Sequence, residues 1–210
     1  MSDPGPKHVP SLKRLLKHLR GTKHKGLFFS ASDDFVPSFT ADYFEVPYDL
    51  TLNAYCDASF GDDPDTRRST QGFVAMLCGA AISWFCQGQK STSLSTAEAE
   101  LIALADAIKE VKYIRETMTF LDLKQPGPTI IQEDNMAVVS TAHNPGKNHG
   151  KLKHVAIRVR SVQENVLEFQ IIDVVHCSTT HMIADILTKA LGKEQFTRLA
   201  AAILGYAKLE

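Results

Sequence analysis

The chain has few of the features that usually announce a function. Its four cysteines, Cys56, Cys78, Cys86 and Cys177, form no C-x-x-C pair. That pattern argues against a zinc ribbon or disulfide scaffold and for reduced, mostly buried thiols in an intracellular protein. No apolar run reaches the length of a membrane-spanning helix. Met1-Ser2-Asp3-Pro4-Gly5-Pro6 lacks the basic-then-apolar layout of a signal peptide. Charge of either sign is not in excess: 23 Lys and Arg stand against 24 Asp and Glu, so any nucleic-acid binding must use local patches. There is no G-x-S-x-G elbow for a serine hydrolase, and no repeat or low-complexity segment. His149, His176, Cys177 and His181 fit no zinc-ligand spacing and read as polar loop residues. What remains is 210 residues, 44% of them hydrophobic, enough for one ordinary domain with an appendage or for two small ones.

Local patterns order the chain. Residues 9–20 read as a basic amphipathic helix, started by Pro10 or Ser11 and stopped by Gly21. Leu12, Leu15, Leu16 and Leu19 share one face, and Lys13, Arg14, Lys17, Arg20, Lys23 and Lys25 surround it. That helix is either a solvated surface helix or a phosphate binder. Residues 27–48 are too aromatic for a free linker and are expected to form a packed, irregular connection. Strands follow over 50–57, 72–78 and 81–86, with a tight turn at Gly79-Ala80. A long helix then runs to about Phe120. A short strand over 129–133 precedes a helix capped by Asn135, and 147–160 is a basic stretch expected to become helical. A last strand is expected over 167–175, a helix from Ser178 through Leu191, and a final helix over 194–204.

The long helix opens with Ser95-Thr96-Ala97-Glu98-Ala99-Glu100-Leu101-Ile102-Ala103-Leu104. Ser95 or Thr96 suits an N-cap, and the carboxylates suit the positive end of the helix dipole. Ala97, Leu101, Leu104, Ile108 and Val111 make one face apolar. Glu100 falls along the edge of that stripe, whereas Glu98 falls nearer solvent. A charge at a core edge is costly without compensation. Glu100 is therefore either a snorkelling or capping side chain or a ligand to a cation. Three further acids bear on the choice: Asp57 closes the first strand, Asp134 closes the fourth, and Asp185 sits inside an apolar run. If the sheet pairs in the order 3-2-1-4-5, the first and fourth strands are neighbours, and their carboxyl ends form the usual ligand crevice. Four carboxylates meeting there would raise each other's pKa values. Hard divalent cations, Mg²⁺ or Mn²⁺, would relieve the repulsion.

Seven motifs then carry a family resemblance. Asp57-Ala58-Ser59, Arg67-Arg68-Ser69-Thr70-Gln71-Gly72-Phe73, Ile82-Ser83-Trp84 with Lys90, and the Ser95–Leu104 stretch occur in order. Glu133-Asp134-Asn135, Lys153-His154-Val155-Ala156-Ile157-Arg158 and Ile183-Ala184-Asp185-Ile186-Leu187-Thr188-Lys189 complete the set. Together they closely resemble the ribonuclease H domain of copia-type LTR retrotransposon polyproteins. The segment from Lys13 to Thr22 resembles the tail of the reverse transcriptase that precedes that domain. Leu101 stands where the family usually has an aromatic, and Arg160 where it usually has histidine.

The resemblance implies an α/β ribonuclease H-like fold, a five-stranded mixed sheet of order 3-2-1-4-5 flanked by helices. It divides the chain into a basic helix and connection at 1–48, the ribonuclease H domain at 49–192 and a C-terminal helix and tail at 193–210. It implies that Asp57, Glu100, Asp134 and Asp185 bind two Mg²⁺, for which Mn²⁺ can substitute. Asp57 would touch both ions, Glu100 and Asp134 would serve the attacking-water side, and Asp185 would hold the other ion. The reaction implied is hydrolysis of the RNA strand of an RNA–DNA hybrid during reverse transcription. The implied partners are the hybrid and the reverse transcriptase domain of the same polyprotein, with no membrane. The implied place is a cytoplasmic virus-like particle or the nucleus. Ser59, Arg67, Ser69, Lys90 and Asn135 are the expected phosphate or sugar contacts. His176 and His181 are the candidates for the mobile histidine that some ribonucleases H use in product release. The competing reading is a catalytically silent connection or binding module of the same fold.

Overall fold

The computed structural model describes residues 5–29, 50–146 and 156–206. Most of the connection expected over 27–48, His149, and the 147–155 part of the basic stretch lie outside the described residues. Five strands, β1 (Asn53–Ser59), β2 (Thr70–Leu77), β3 (Ala80–Gly88), β4 (Thr129–Glu133) and β5 (Ile172–His176), form one sheet. Its order is β3-β2-β1-β4-β5. The β1–β2 and β2–β3 pairs are antiparallel, and β1–β4 and β4–β5 are parallel. The helices are α1 (Val9–Thr22), α2 (Thr96–Phe120), α3 (Met136–His143), α4 (Ala156–Gln163), α5 (Asp185–Thr188) and α6 (Lys193–Ile203).

The two sheet faces are covered by different parts of the chain, as alternation along β1 and β2 requires. Leu52, Ala54, Cys56, Phe73, Ala75, Ile131, Ile172 and Val174 pack against Leu101, Leu104, Ile108 and Val111 of α2 and against Val138 and Val159 of α3 and α4. On the other face, Val74 and Ala81 meet Ile183 and Ala202, with Leu187 and Ile203 alongside. Ser95 caps α2, its Oγ accepting from the Glu98 amide at 3.2 Å.

Several boundaries differ from those read in the sequence, each for a local reason. Strand β1 does not stop at Asp57, because Ala58 and Ser59 still pair with Gln71 and Thr70. The hairpin turn is Cys78-Gly79, both left-handed at φ 51° and 79°, with Ala80 already in β3. Strand β5 begins only at Ile172, because residues 164–168 add a π-type turn to the end of α4 and Ile171 N bonds back to Asn165 O at 3.0 Å. No long helix starts at Ser178. Residues 179–184 are mostly turns, and Asp185 is the first residue of the four-residue α5. Glu98 is not on the solvent side: it is buried, and its Oε2 accepts from Leu94 N at 2.8 Å just ahead of the helix. Helix α1 buries none of its residues, and its four leucines stay about half exposed.

Gly72 fixes how α5 sits. It lies opposite Asp57 in the β1–β2 register. A Cβ there would come within 2.9 Å of Thr188 Cγ2, 3.0 Å of Leu187 Cβ and 3.2 Å of Ala184 O. Gly72→Val should therefore destabilise the protein by about 1–3 kcal/mol through overpacking, read as a lower urea midpoint. Gly88→Val, where an added Cβ meets nothing within 4 Å, should stay within about 0.5 kcal/mol of the parent. Equal midpoints for the two variants would mean that α5 does not rest on β2 as described.

Candidate functional site

Small side chains let α2 approach β1. Ala58 of β1 packs directly on Ala99 and Ala103, so the first turns of α2 lie against the carboxyl end of the strand. That contact brings Glu100 to Asp57. Asp134 follows the last residue of β4, beside β1 in the parallel pair. Carboxylate oxygens of Asp57, Glu100 and Asp134 all lie within 4.8 Å of one another. Asp57 is fully buried, Glu100 is 6% exposed and Asp134 is half-buried. Asp185, 1% exposed, joins the group through a cation. Lys189 Nζ stands 2.6 Å from Asp185 Oδ1, 3.0 Å from Asp57 Oδ1 and 4.0 Å from Asp134 Oδ2. The Thr188 hydroxyl donates to the other Asp57 oxygen, Oδ2.

Sequence reasoning passed over three members of this site. Lys189 lies one helical turn after Asp185, and that i, i+4 acid–base spacing was the available signal. Thr188 carried no signal beyond its neighbours. Glu133 is a fifth acid and is fully buried. Its Oε2 accepts from Cys56 Sγ at 3.4 Å and its Oε1 from Asn135 N at 3.1 Å. The adjacent acids Glu133 and Asp134 were the available signal for it.

The electrostatics follow from burial and crowding. Burial foremost, then the charges of Glu133, Asp57 and Asp134, push the Glu100 carboxyl up to about 10, with Lys189 the opposing influence. Burial pushes Glu133 up to about 8. Asp134 and Asp185 are also raised, chiefly by burial, against the pull of Lys189. Burial alone would depress the Lys189 ammonium, but its hydrogen bond to Asp185 and the charge of Asp57 outweigh that and hold it above its usual value. Glu100 Oε2 is buried with no hydrogen-bond partner among the described residues, an arrangement a protein normally avoids. An all-carboxylate donor set with an orphaned oxygen suits a hard divalent cation. The residues therefore fit Mg²⁺ or Mn²⁺, with Asp57, Glu100 and Asp134 offering ligand atoms together and Asp185 next to them.

The expected substrate contacts are dispersed. Ser69 is buried, and its Oγ accepts from Gly61 N at 3.1 Å, holding the β1–β2 loop. Asn135 Oδ1 accepts from Ala137 N at 3.0 Å as the cap of α3. Ser59 ends β1, half-buried, while Arg67 and Lys90 are exposed. His176 ends β5 beside Glu133 in the register, and its charge acts to lower Asp134. His181 Nδ1 is 2.8 Å from Ser178 Oγ.

All four raised carboxyls hold their protons longer in the folded chain than in the unfolded one. Stability from this cluster is then greatest below the ordinary carboxylate range and is lost as pH rises through the folded values, about 8 and about 10 for the two glutamates. Chelator-treated protein should show a falling thermal midpoint from pH 5 to pH 9, and millimolar Mg²⁺ should flatten the fall. A level profile without metal would mean that the carboxyls do not share a site.

No family model matches the chain. It is 32% identical over 203 residues to the retrovirus-related Pol polyprotein from transposon RE1 of Arabidopsis thaliana, covering 97% of this chain and 13% of that one. The corresponding polyprotein from transposon TNT 1-94 of Nicotiana tabacum is 30% identical over 196 residues, 93% of this chain and 13% of that one. The chain thus spans roughly an eighth of these relatives' length. Among solved structures, the ribonuclease H1 LC11 isolated from compost superposes with a TM-score of 0.50 at 13% identity, covering 72% of this chain and 99% of that one. Built on a ribonuclease H-like fold, the chain is homologous to a segment of the copia-type, retrovirus-related Pol polyproteins of transposons.

Proposed function

We propose that the chain is a ribonuclease H that hydrolyses the RNA strand of RNA–DNA hybrids, using two Mg²⁺ held by Asp57, Glu100, Asp134 and Asp185. The observation that carries the reading is the convergence of Asp57, Glu100 and Asp134, from three distant segments, within 4.8 Å. Bound there, paired divalent cations supply an activated water and neutralise charge developing on the phosphodiester. The chain's own part is to fix the carboxylates. Asp57 sits in β1 two residues before its end, Asp134 follows β4 beside it, Glu100 is held by the alanine contact between α2 and β1, and Asp185 is seated by α5 against Gly72. Ser59, Arg67, Lys90 and Asn135, though dispersed, are the groups we assign to phosphate or sugar, and Ser69 holds the loop between β1 and β2.

The domain reading is a proposal of the same kind: a basic helix and connection over 1–48, the nuclease domain over 49–192 and a C-terminal helix and tail over 193–210. The Pol polyprotein relatives support a neighbouring reverse transcriptase domain as partner. So do the half-exposed leucines of α1, which leave one face of that helix without a partner among the described residues. No helix among the described residues is long and apolar enough to cross a membrane. We infer an intracellular setting, a virus-like particle or the nucleus. The silent-module reading has one observation in its favour: Lys189 already neutralises part of the cluster.

Cleavage of a labelled RNA–DNA hybrid in Mg²⁺ separates the two. Asp57→Asn and Glu100→Gln should each cost on the order of 10³-fold in rate, the several kcal/mol expected when a metal clamp is lost. Glu98→Gln keeps an oxygen for Leu94 N and should cleave at close to the parent rate. An inactive parent, or equal activity in parent and Asp57→Asn, overturns the nuclease reading. The basic helix is a separate matter. Replacing Lys13, Arg14, Lys17 and Arg20 with Ala should weaken hybrid binding and reduce its salt dependence while leaving kcat unchanged. Unaltered affinity would show these charges to be a solvated surface only.

A further inference from the structure

Both oxygens of Asp57 are taken by the chain itself. Lys189 Nζ is 3.0 Å from Oδ1, and the Thr188 hydroxyl donates to Oδ2. The same ammonium lies 2.6 Å from Asp185 Oδ1. A hard divalent ion held jointly by Asp57 and Asp185 would draw on the same carboxylate oxygens that now hold the ammonium. The two cations compete for those oxygens. The acids are fixed, with side-chain exposures of 0% for Asp57 and 2% for Asp185, whereas Lys189 is 35% exposed. Lys189 also lies just beyond α5, on extended backbone at φ −124° and ψ 146°. It can swing its ammonium into water without moving the core. Glu100 is differently placed. Among the described residues, Lys189 hydrogen-bonds to Asp57 and Asp185 but not to Glu100, and Glu100 Oε2 has no hydrogen-bond partner.

We propose that Lys189 is a resident counter-cation, which holds Asp57 and Asp185 together in the metal-free protein and must withdraw before a divalent ion can bridge them. The site then loads unequally. The first ion enters on the side of Glu100 and Asp134, and the second binds more weakly because it must displace an ion pair. The inference rests on the reading of these carboxylates as metal ligands. Lys189 is a positioning residue in this scheme, acting through Asp57 and Asp185. Burial explains why its replacement matters even without metal: removing one partner of a buried pair leaves an uncompensated charge.

Titration of Mn²⁺ into parent, Lys189→Met and Lys189→Arg by calorimetry, with thermal midpoints taken in chelator and in Mn²⁺, tests this without relying on turnover. The parent should show two classes of Mn²⁺ site. In Lys189→Met the weaker class should tighten on the order of tenfold, the size of one ordinary half-buried ion pair. Its midpoint in chelator should fall by several degrees, and Mn²⁺ should raise it more than in the parent. Lys189→Arg should keep the parent's midpoint in chelator. If Lys189→Met is unfolded in chelator, Mn²⁺ should restore it. Unchanged Mn²⁺ affinities in Lys189→Met, or an unfolded variant that Mn²⁺ does not rescue, overturns the proposal. A parent that binds no Mn²⁺ at millimolar concentration overturns the metal-site reading itself.

Discussion

Mutual repulsion among buried carboxylates is the constraint around which this fold is arranged. Asp57, Glu100, Glu133 and Asp185 are each at most 6% exposed, and half-buried Asp134 joins them. Left charged and unpaired, such groups cost far more than any single packing contact returns. The chain tolerates them because the rest of the sheet is strongly apolar, with α2 contributing Leu101, Leu104, Ile108 and Val111 to one continuous core. The remaining cost is met locally, by protonation, by Lys189 and by the hydroxyl of Thr188. Stability made elsewhere is spent at one end of the sheet, as expected of a site kept for its chemistry.

That arrangement explains what could and could not be read from the sequence. Apolar periodicity placed α2 to within a residue or so and left Ser95 or Thr96 as its cap, of which the fold uses Ser95; three antiparallel strands followed by two that alternate with helices were legible, and the order 3-2-1-4-5 came with the family resemblance. Asp57 was legible as the acid of an alternating strand, although that strand runs on to Ser59, and Asp134 as the acid that follows a short apolar strand. Glu98 was misplaced because periodicity reports only which side of a helix is apolar. It does not report that the chain entering α2 folds over the first turn and buries a capping carboxylate. Asp185 was assigned to a long helix because Met182, Ile183 and Ala184 look helical. They are buried instead within turns that deliver a four-residue helix onto Gly72. Lys189 was passed over because a lysine ordinarily belongs to solvent, and its partner across the site is 132 residues away.

Glycine and alanine set distances that the larger residues then exploit. Ala58, Ala99 and Ala103 close one side of the site, and Gly72 closes the other. Their lack of bulk is what lets a helix from each face of the sheet reach the same strand end. The charged groups could have been found by counting acids. The small ones, which determine whether those acids meet, carry no chemical signal in the sequence.

Gly205 does comparable work at the far pole. Its backbone is left-handed at φ 80°, and an added Cβ would fall 1.9 Å from Phe28 O, while Phe28 N bonds to Leu204 O at 2.8 Å. Ala80, at the hairpin end remote from Asp57, lies beside this junction. Residues 26–28 and 204–206 are thereby stapled together at the pole opposite the carboxylates. Tension arriving through α1 would be borne first by that backbone staple and by α6, leaving the β1–β4 ladder unloaded.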